Sequence, residues 1–536
     1  MRATANGLAM DCVVGSGPAG VACAAALLKR GRRVLMLDAG LQLEADRAQV
    51  VQRLAHQAPA EWDPADVARI KEGMVPQAGG IPQKLCFGSD YPYRDTEREL
   101  GLSSEGAGLQ ASLAQGGLSS VWGSAMLPYP ASELRDWPIS LDQLAPHYRA
   151  VLELTGISAG HDGLAERFPL FTNALGQLEM SQQAQTVWHH LGRHAAVLEQ
   201  RGFQFGRARV AIQAPQAGVR EGCIHCGCCL YGCPYGYIFN AANVVAAWTG
   251  NTGFTYQQDI VVESVREQGE TVVVQGHRRG TRELFTTEVA RVYLAAGVIP
   301  TTGILLRSLD LGDTEVTLKD SQYFLLPALL TKRVAGVRTE KLHTLSQIFL
   351  ELLDPAVSAN TVHLQLYTYN DLIGRTVQNL LGPLKKPLDF LARELENRLV
   401  LFQGFVHSDD SSRIAITLRR TAQGEQLELK PQINPQARRV VGKIVRQLLR
   451  HSHRLGAVPL SPMLQFAQPG RSFHAGGSFP MHNHPGRLAT DTLGRPAGWQ
   501  RVHAVDATVF PSIAATTITF TAMANAHRIA SETPAT

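Results

Sequence analysis

The first segment with a clear structural signature is Asp11-Cys-Val-Val14-Gly15-Ser-Gly17-Pro-Ala-Gly20. Its apolar start predicts a buried parallel strand, and the run that follows the glycines predicts a helix that continues to Arg30. A second short strand, Val34-Leu-Met-Leu37, then ends at an acidic residue, Asp38. The order of strand, G-x-G-x-x-G turn, helix, strand and acid is typical of a dinucleotide-binding fold.

Each glycine of this turn has an expected role in binding a pyrophosphate. Gly15 makes the tight turn, Gly17 lets the phosphates approach the backbone, and Gly20 packs the helix on the sheet. The amino end of the helix then faces the phosphates. Asp38 follows Gly15 by 23 residues, where an acceptor for a ribose hydroxyl is needed. The motif alone does not separate NAD from FAD.

The composition is that of an ordinary globular protein, with 45% hydrophobic and 18% charged residues among 536. This length predicts two or three domains of ~100–200 residues each. The net charge of +5 is too small for a nucleic-acid-binding surface. No apolar run approaches the ~18 residues of a membrane span, and the first ten residues resemble no export signal. We therefore expect a cytoplasmic protein, unless a partner carries it across a membrane.

Five of the eight cysteines lie within eleven residues, in Cys223-Ile-His-Cys226-Gly-Cys228-Cys229-Leu-Tyr-Gly-Cys233-Pro234. Through Cys223, Cys226, Cys229 and Cys233 the spacing is C-x2-C-x2-C-x3-C-P, which predicts an iron–sulfur cluster. A zinc site or a disulfide-bonded loop is the alternative. Zinc sites usually pair two C-x2-C knuckles, and disulfide scaffolds are typical of secreted chains. Since a cluster transfers single electrons, the loop favours a redox protein.

Several other segments resemble those of the glucose–methanol–choline (GMC) oxidoreductases, in that family's order from residue 11 to about residue 530. They are Gln115-Gly-Gly-Leu-Ser-Ser-Val-Trp-Gly123, Asp136-Trp-Pro138, Leu144-Ala-Pro-His-Tyr148, Val292-Tyr-Leu-Ala-Ala-Gly-Val-Ile-Pro300, Thr490-Asp-Thr-Leu-Gly-Arg-Pro496 and Val505-Asp-Ala-Thr-Val-Phe-Pro511. The resemblance implies an α/β fold (α+β overall), in which a Rossmann-like FAD-binding domain is interleaved with an antiparallel-sheet substrate domain.

The resemblance also implies FAD as the cofactor, with the second domain roofing its isoalloxazine ring. The residues implied along the flavin from the first of these segments are Gly116, Gly117, Ser119 and Trp122. Further cofactor contacts are implied for Ala296, Gly297, Asp506 and Ala507. Some relatives attach FAD to a histidine just before the equivalent of Trp122. Because that position is Val121 in this chain, we expect non-covalent FAD.

The family's catalytic histidine lies in an H-x-(x)-G-(G/T) turn, which Ser472-Phe-His-Ala-Gly-Gly-Ser478 resembles. An imidazole titrates near neutral pH and can take the proton of a substrate hydroxyl, so His474 is the candidate base. The family's second catalytic position, usually Asn or His, aligns with Thr517. A hydroxyl can bind a substrate oxygen but cannot shuttle a proton as an imidazole can. The close pair His482 and His484 is interpreted as loop polarity, since no other metal ligand accompanies it.

We expect residues 1–312 to form mainly the FAD-binding domain, with the cysteine-rich loop at 221–240. Residues 313–465 would form mainly the substrate domain, and residues 466–536 would return to the first domain with the catalytic histidine. Sequence patterns predict helix around 179–201, an antiparallel hairpin within about 251–290, where polar and apolar residues alternate as at 270–275, and a strand over 362–368.

An amphipathic helix is predicted from near Pro387. Its apolar stripe would consist of Leu388, Phe390, Leu391, Leu395 and Leu399. Packing in the core is the default explanation of this stripe. The alternative is docking to a membrane surface or to an electron-accepting partner.

The cysteine loop and the residues after it resemble the flavoprotein subunits of bacterial three-subunit glucose and sorbitol dehydrogenases, which hold a three-iron cluster with C-x5-C-x3-C spacing. Cys223, Cys229 and Cys233 match that spacing, Cys226 could complete a four-iron site, and Cys228 fits neither pattern. The resemblance thus implies a 3Fe-4S or a 4Fe-4S cluster.

Together these features predict an FAD-dependent enzyme that oxidises the hydroxyl of a small alcohol or sugar by hydride transfer to flavin. Electrons would then pass through the cluster to an external acceptor, such as a partner protein or a quinone. One alternative is a GMC oxidase that uses oxygen and has a structural cysteine loop. Another is a flavin-dependent isomerase or desaturase, whose altered chemistry would explain Thr517.

Overall fold

The computed structural model of the chain describes residues 10–73, 83–215, 221–422 and 424–534. Its strands are β1 (Asp11–Val14), β2 (Val34–Leu37), β3 (Leu102–Ser104), β4 (Phe203–Arg207), β5 (Phe254–Gln257), β6 (Ile260–Gln268), β7 (Thr271–Arg278), β8 (Leu284–Val289), β9 (Arg291–Leu294), β10 (Glu315–Asp320), β11 (Tyr323–Leu330), β12 (Ile348–Leu352), β13 (Val362–Tyr367), β14 (Leu399–Phe405), β15 (Arg413–Thr421), β16 (Gly424–Gln432), β17 (Ala457–Pro459), β18 (Gln465–Phe466), β19 (Ala475–Gly476) and β20 (Val502–Ala504).

The α-helices are α1 (Pro18–Lys29), α2 (Ala45–Ala55), α3 (Pro64–Ile70), α4 (Thr96–Leu100), α5 (Leu141–Thr155), α6 (Gln182–Arg193), α7 (Ala195–Glu199), α8 (Ala241–Ala247), α9 (Val298–Ser308), α10 (Asp371–Leu381), α11 (Asp389–Glu396), α12 (Pro435–Arg450), α13 (Ser452–Leu455) and α14 (Thr519–Glu532). Within the described ranges, none of these helices has the length and apolarity that crossing a membrane requires.

The first sheet is the parallel sheet that the glycine motif predicts. Its strand order is β20-β9-β1-β2-β5, and every neighbouring pair is parallel. Strands β1, β2 and β9 are buried along their whole length, as expected of a parallel sheet covered on both faces. Helix α1 packs against α14, where Arg30 donates hydrogen bonds to the carbonyls of Ala530 and Thr533. The Rossmann-like prediction is confirmed.

The second sheet is antiparallel and seven-stranded, with the order β17-β11-β14-β13-β12-β4 and with β18 also paired to β11. Its two faces differ in chemistry because successive side chains alternate between them. One face is apolar and packs into a buried cluster that includes Phe324, Leu350, Leu364 and Phe402. The opposite face carries polar side chains. The antiparallel sheet that the GMC resemblance implies is therefore present.

Two further sheets complete the fold. In the first, ordered β19-β10-β15-β16-β3, β19 pairs with β10 so that Ala475 lies opposite Asp320. The second is the antiparallel sheet β6-β7-β8. The pairing of β19 fixes the segment around His474 against the middle of the chain.

The middle of the chain largely follows its predictions. Helices α6 and α7 confirm the predicted helix, and β7 and β13 confirm the hairpin and strand. The prediction of the amphipathic helix is wrong in part. The helix begins at Asp389, and the side chains of Phe390 and Leu391, which were predicted in its apolar stripe, are 65% and 48% exposed. The positions that face inward are Ala392 and Glu396. Arg338 pairs with the buried carboxylate of Glu396 on this inward face.

Candidate active site

Two of the three glycines in the turn between β1 and α1 are needed for steric reasons. Gly15 has a φ of +101°, and a Cβ there would lie 2.5 Å from the carbonyl oxygen of Ala295. A Cβ at Gly20 would lie 2.0 Å from the carbonyl oxygen of Gly15. A Cβ at Gly17 would meet no atom within 4 Å. Since α1 also begins without a side-chain cap, its first N–H groups can bind an anionic group above Gly17.

Asp38 is buried directly beside this turn. Its carboxylate accepts hydrogen bonds from the Ser16 hydroxyl at 2.5 Å and from the Tyr256 hydroxyl at 2.9 Å. Burial raises the pKa of Asp38 to about 6, although these hydrogen bonds act in the opposite direction. The carboxylate is therefore held in a fixed position at the end of β2, where the motif places a ribose acceptor.

The segment around Gly116 meets the glycine turn. The Gly116 N–H donates to the Ser16 hydroxyl at 2.8 Å, and a Cβ at Gly117 would lie 3.3 Å from the Cα of Gly17. Ser119 donates to the carbonyl of Gly116 and accepts from the N–H of Ala241. Trp122 donates from its indole nitrogen to the carbonyl of Phe239 at 2.9 Å. This segment therefore connects the nucleotide turn to the residues that follow the cysteine loop.

Asp506 joins the end of the chain to the parallel sheet. Its carboxylate accepts from the N–H of Gly297 at 3.0 Å and from the hydroxyl of Thr301 at 2.6 Å. Burial raises the pKa of Asp506. Gly297 and Ala296 immediately precede α9, and a Cβ at Gly297 would meet no atom within 4 Å. The structure thus brings Ala296, Gly297, Asp506 and Ala507 together, beside a second open glycine position.

The turn that carries His474 rests on this Asp506 segment. The N–H of Gly477 donates to the carbonyl of Ala507 at 2.9 Å. A Cβ at Gly476 would lie 2.2 Å from the same carbonyl oxygen, so only glycine permits this approach. Phe473 has a φ of +59°, which is strained for a bulky residue and is often found at functional sites.

His474 is held mainly through its backbone. Its N–H donates to the Ser472 hydroxyl at 2.9 Å, and its carbonyl accepts from the N–H of Ser321 at 3.0 Å. Its ring stacks on Phe405 with centroids 4.9 Å apart, and its Nδ1 is buried without a hydrogen-bond partner. Burial, and secondarily the nearby His363, lower the pKa of His474 to about 3. The imidazole is therefore uncharged at neutral pH.

Asp320 supports this turn and has no signature in the sequence. It accepts from the Ser472 hydroxyl at 2.9 Å and from the N–H of Gly470 at 2.7 Å. Burial raises the pKa of Asp320 to about 6. Because Asp320 lies about 150 residues before the turn, only the pairing of β10 with β19 reveals the contact.

The other candidate polar residues occupy different environments. Thr517 is buried, and its hydroxyl accepts from the N–H of Leu127 at 2.9 Å, so one hydrogen-bonding position of this side chain is already in use. His482 and His484 lie in an exposed turn in which the ring of His482 contacts the backbone of His484. This arrangement agrees with loop polarity.

The cysteine loop lies between two parts of the core. Cys229 packs in a cluster with Leu345 and Phe349, whereas Cys228 packs in another with Val50 and Leu54. All eight cysteines of the chain, which all lie in the described residues, are free thiols, so the disulfide-bonded alternative is wrong for this structure.

The four predicted cluster ligands influence one another electrostatically. Burial raises the pKa of Cys223 to about 11, and the thiols of Cys226 and Cys233 add to the shift. Burial also raises the pKa of Cys229, with further contributions from the other three thiols. Across the described ranges, no three or more side chains of His, Cys, Asp or Glu are arranged to hold a single metal ion. The thiols are neighbours, but they do not converge on one point.

Lys84 lies between the cysteine loop and the Gly116 segment and was not predicted. Its Nζ donates to the carbonyl of Trp122 at 2.7 Å. Burial lowers the pKa of Lys84 to about 8, while the nearby thiols of Cys229 and Cys86 act in the opposite direction. No motif of the sequence identifies this lysine.

The structure combines a parallel Rossmann-like sheet with antiparallel sheets, which is the mixed α/β fold class predicted from the sequence. The family profile of the NAD(P)-binding Rossmann-like domain matches residues 13–56. Among solved structures, pyridoxine 4-oxidase from Mesorbium loti is similar over 98% of each chain, with a TM-score of 0.58 and 14% sequence identity. A search of curated proteins found no match. At this identity the likeness concerns the fold.

Proposed function

We propose that the protein is an FAD-dependent oxidoreductase that oxidises the CH–OH group of an alcohol or sugar. One observation carries the proposal: the glycine pair after His474 rests directly on Ala507, beside the Asp506–Gly297 contact of the parallel sheet. A histidine confined next to the open glycine positions of a dinucleotide-type fold is suited by its position to take a proton from a substrate held against a flavin.

The chain's own residues fit FAD. The pyrophosphate would lie at Gly17, where the backbone is open and the first N–H groups of α1 are uncapped. Asp38 would bind a ribose hydroxyl, and Gly116 and Gly117 would border the same turn. The open position at Gly297 would admit a further part of the cofactor. With Val121 before Trp122, attachment through a histidine at this position is excluded, and non-covalent binding is proposed.

In this mechanism the residues orient the alcohol and remove its proton. When bound, FAD supplies the acceptor for the hydride that leaves the alcohol carbon. His474 accepts the hydroxyl proton at its unprotonated ring nitrogen, while Asp320 and Ser472 keep the turn in place. Thr517 is proposed to donate a hydrogen bond to the substrate oxygen, since its hydroxyl oxygen already accepts from Leu127.

We further propose that Cys223, Cys226, Cys229 and Cys233 hold an iron–sulfur cluster, which would pass electrons singly to a partner protein or quinone. Their spacing and electrostatic proximity support this proposal. If the cluster does not form, an oxygen-using enzyme with a structural cysteine loop becomes the better description.

The proposed function is tested by mixing the anaerobic flavoprotein with a panel of alcohols and sugars. We expect at least one to bleach the flavin absorbance, and iron and sulfide analysis to give a stoichiometric cluster. Reoxidation is then compared between oxygen and a soluble electron acceptor. Bleaching with no iron, followed by rapid reoxidation by oxygen, would favour the oxidase. Absence of bleaching across the panel would contradict CH–OH oxidation.

A further inference from the structure

One short stretch of the chain exposes large apolar side chains that the fold does not cover. Between residues 380 and 391 four of them are exposed: Leu380 by 68%, Leu384 by 57%, Phe390 by 65% and Leu391 by 48%. Elsewhere in the described parts of the chain, no stretch of this length holds more than two such side chains. A concentrated exposed apolar surface often marks an interaction site. We call these four residues the apolar tip.

The apolar tip lies where two helices meet. Leu380 is in the last turn of α10, and Leu384 is in the 3₁₀ turn Gly382–Lys385 that follows it. Phe390 and Leu391 are in the first turn of α11. Because α10 packs against both this turn and α11, the four side chains belong to one end of a helical hairpin.

Helix α11 turns its apolar side away from the protein. Its buried positions are Ala392 and Glu396, one turn apart, and Arg338 pairs with both Glu396 and Asp389. At about 100° per residue, Phe390 lies about 200° around the helix from Ala392 and therefore on the opposite side. The surface that α11 offers to a ligand outside the chain is thus the apolar one.

The uncompensated charge beside the tip is positive. Asp389 and Glu394, the partly exposed acidic side chains of α11, each pair with two arginines. Two adjacent lysines, Lys385 and Lys386, precede α11. Lys386 is exposed and forms no ion pair with another described residue. A surface that complements this end of the hairpin would be apolar inside and anionic at its edge.

The other end of α10 is attached to the cysteine loop. Asp371 accepts a hydrogen bond from the Tyr231 hydroxyl at 2.9 Å and pairs with Lys71 at 2.8 Å. The guanidinium of Arg375 lies 5.5 Å from the centroid of the Tyr231 ring, and Tyr231 is part of the cysteine loop. Since α10 has eleven residues, it is about 16 Å long. The apolar tip therefore lies about one helix length from the cysteine loop.

We propose that the apolar tip, together with Lys385 and Lys386, docks on the surface of an anionic lipid bilayer. A bilayer takes up apolar side chains without a matching shape, and its anionic headgroups attract lysines beside them. A stable protein partner would need about 20–30 residues on each side, whereas the tip and both lysines lie within residues 380–391. The docking does not depend on the proposed function. Its consequence, a cysteine loop held near the lipid surface for an electron acceptor there, rests on it.

The test is flotation of the purified protein with lipid vesicles, from which a partition coefficient is measured. One set of vesicles contains phosphatidylcholine alone, and the other also contains about 30% phosphatidylglycerol, which supplies the negative surface potential. We expect the partition coefficient for the anionic vesicles to be at least about tenfold larger, because two lysines lie beside the tip. Added salt should reduce this difference, because it screens the charges.

The apolar contribution is tested by combining Leu384→Ser with Phe390→Ser. This variant should lower the partition coefficient for anionic vesicles by about tenfold or more, because it removes the apolar surface that would enter the bilayer. Since both side chains are exposed, the thermal unfolding midpoint should stay close to that of the wild type. The matched control is Leu284→Ser, whose leucine is 76% exposed on β8 and whose loss should not change vesicle binding.

The charge contribution is tested by combining Lys385→Gln with Lys386→Gln. This variant should bind anionic vesicles about tenfold more weakly and neutral vesicles as the wild type does. The control combines Arg419→Gln with Arg420→Gln, which removes the same charge from two adjacent exposed arginines on β15. It should keep the preference for anionic vesicles.

Vesicle binding that falls in both hairpin variants and in neither control supports the docking. The proposal is overturned if the wild type does not float with anionic vesicles, or if the serine variant floats as well as the wild type. It is also overturned if the wild type sediments as a dimer that the serine variant dissociates and does not bind vesicles, since the tip would then join two copies of the chain. No substrate or electron acceptor is present, so these outcomes do not depend on whether the protein oxidises alcohols.

Discussion

At the level of single residues, His474 shows how backbone contacts can fix a side chain whose ring makes few polar contacts. Its N–H and carbonyl are both hydrogen-bonded, whereas its Nδ1 has no partner. The histidine and its glycine pair were predictable because they form a short local motif. Its neighbours Asp320, Phe405 and His363 were not, because each reaches it from a distant strand.

Replacing His474 tests its role as the base. His474→Ala should retain FAD but slow flavin reduction by about 10²-fold or more, the usual effect of losing a general base. Thr517→Val should cost much less in rate and about 1 kcal/mol in stability, since the N–H of Leu127 loses its acceptor. His484→Ala, in the exposed turn, is the control. Stopped-flow absorbance measures the rate of flavin reduction in all three variants. Equal losses of rate in His474→Ala and Thr517→Val would contradict the assignment of a single base.

The pH dependence of the rate tests the environment of His474. Because burial lowers its pKa to about 3, the imidazole stays uncharged from pH 8 down to about pH 5, and only stronger acid protonates it. The rate constant of flavin reduction should therefore be flat over that range and fall below it. A fall with a midpoint near the ordinary histidine value of about 6.5 would show that the ring is solvated in the working enzyme.

At the level of structural elements, the fit of the His474 turn against the Asp506 segment depends on Gly476. Gly476→Ala would place a Cβ 2.2 Å from the Ala507 carbonyl oxygen, so the turn must move. We expect a loss of stability of about 1–3 kcal/mol and weaker FAD retention. The measurements are the thermal unfolding midpoint and the flavin-to-protein ratio.

Gly442→Ala provides the matched control for this substitution. Gly442 lies inside α12, and a Cβ there meets no atom within 4 Å. This change should stabilise the protein by about 0.5–1 kcal/mol, because alanine has a higher helix propensity than glycine. If Gly476→Ala and Gly442→Ala have the same unfolding midpoint and flavin-to-protein ratio, the close approach of the His474 turn to Ala507 is not needed for stability or for FAD binding.

The cysteine loop provides a second test at this level. Cys229→Ser should abolish iron and sulfide and block electron transfer to an external acceptor, while substrate still bleaches the flavin. Cys228→Ser should keep the cluster, since Cys228 fits neither spacing pattern and packs against Val50 and Leu54. The iron content of each variant is measured after anaerobic purification and compared with that of the wild type. Zinc in the wild type, or equal iron loss in both variants, would contradict the ligand assignment.

At the level of the whole molecule, the parallel sheet was predictable because its signature is contained in 28 consecutive residues, from β1 to Asp38. The arrangement of polar side chains on the seven-stranded sheet was not. The alternation of His363, Gln365 and Tyr367 along β13 is visible in the sequence, but the face on which they lie and their partners depend on the register of β12, β13 and β14. Their partners lie on β12 and β14, and the pattern of a single strand does not identify which strands pair with it. The domain boundaries likewise stay a prediction.

The most direct test of the central claim is the cofactor itself. Acid precipitation of the purified protein should leave a colourless pellet and release FAD into the supernatant, at about one equivalent per chain. This follows from the open glycine turn, the fixed Asp38 and the valine at position 121. Purified protein without flavin, or a pellet that stays yellow, would contradict the account of this protein as an enzyme with non-covalent FAD.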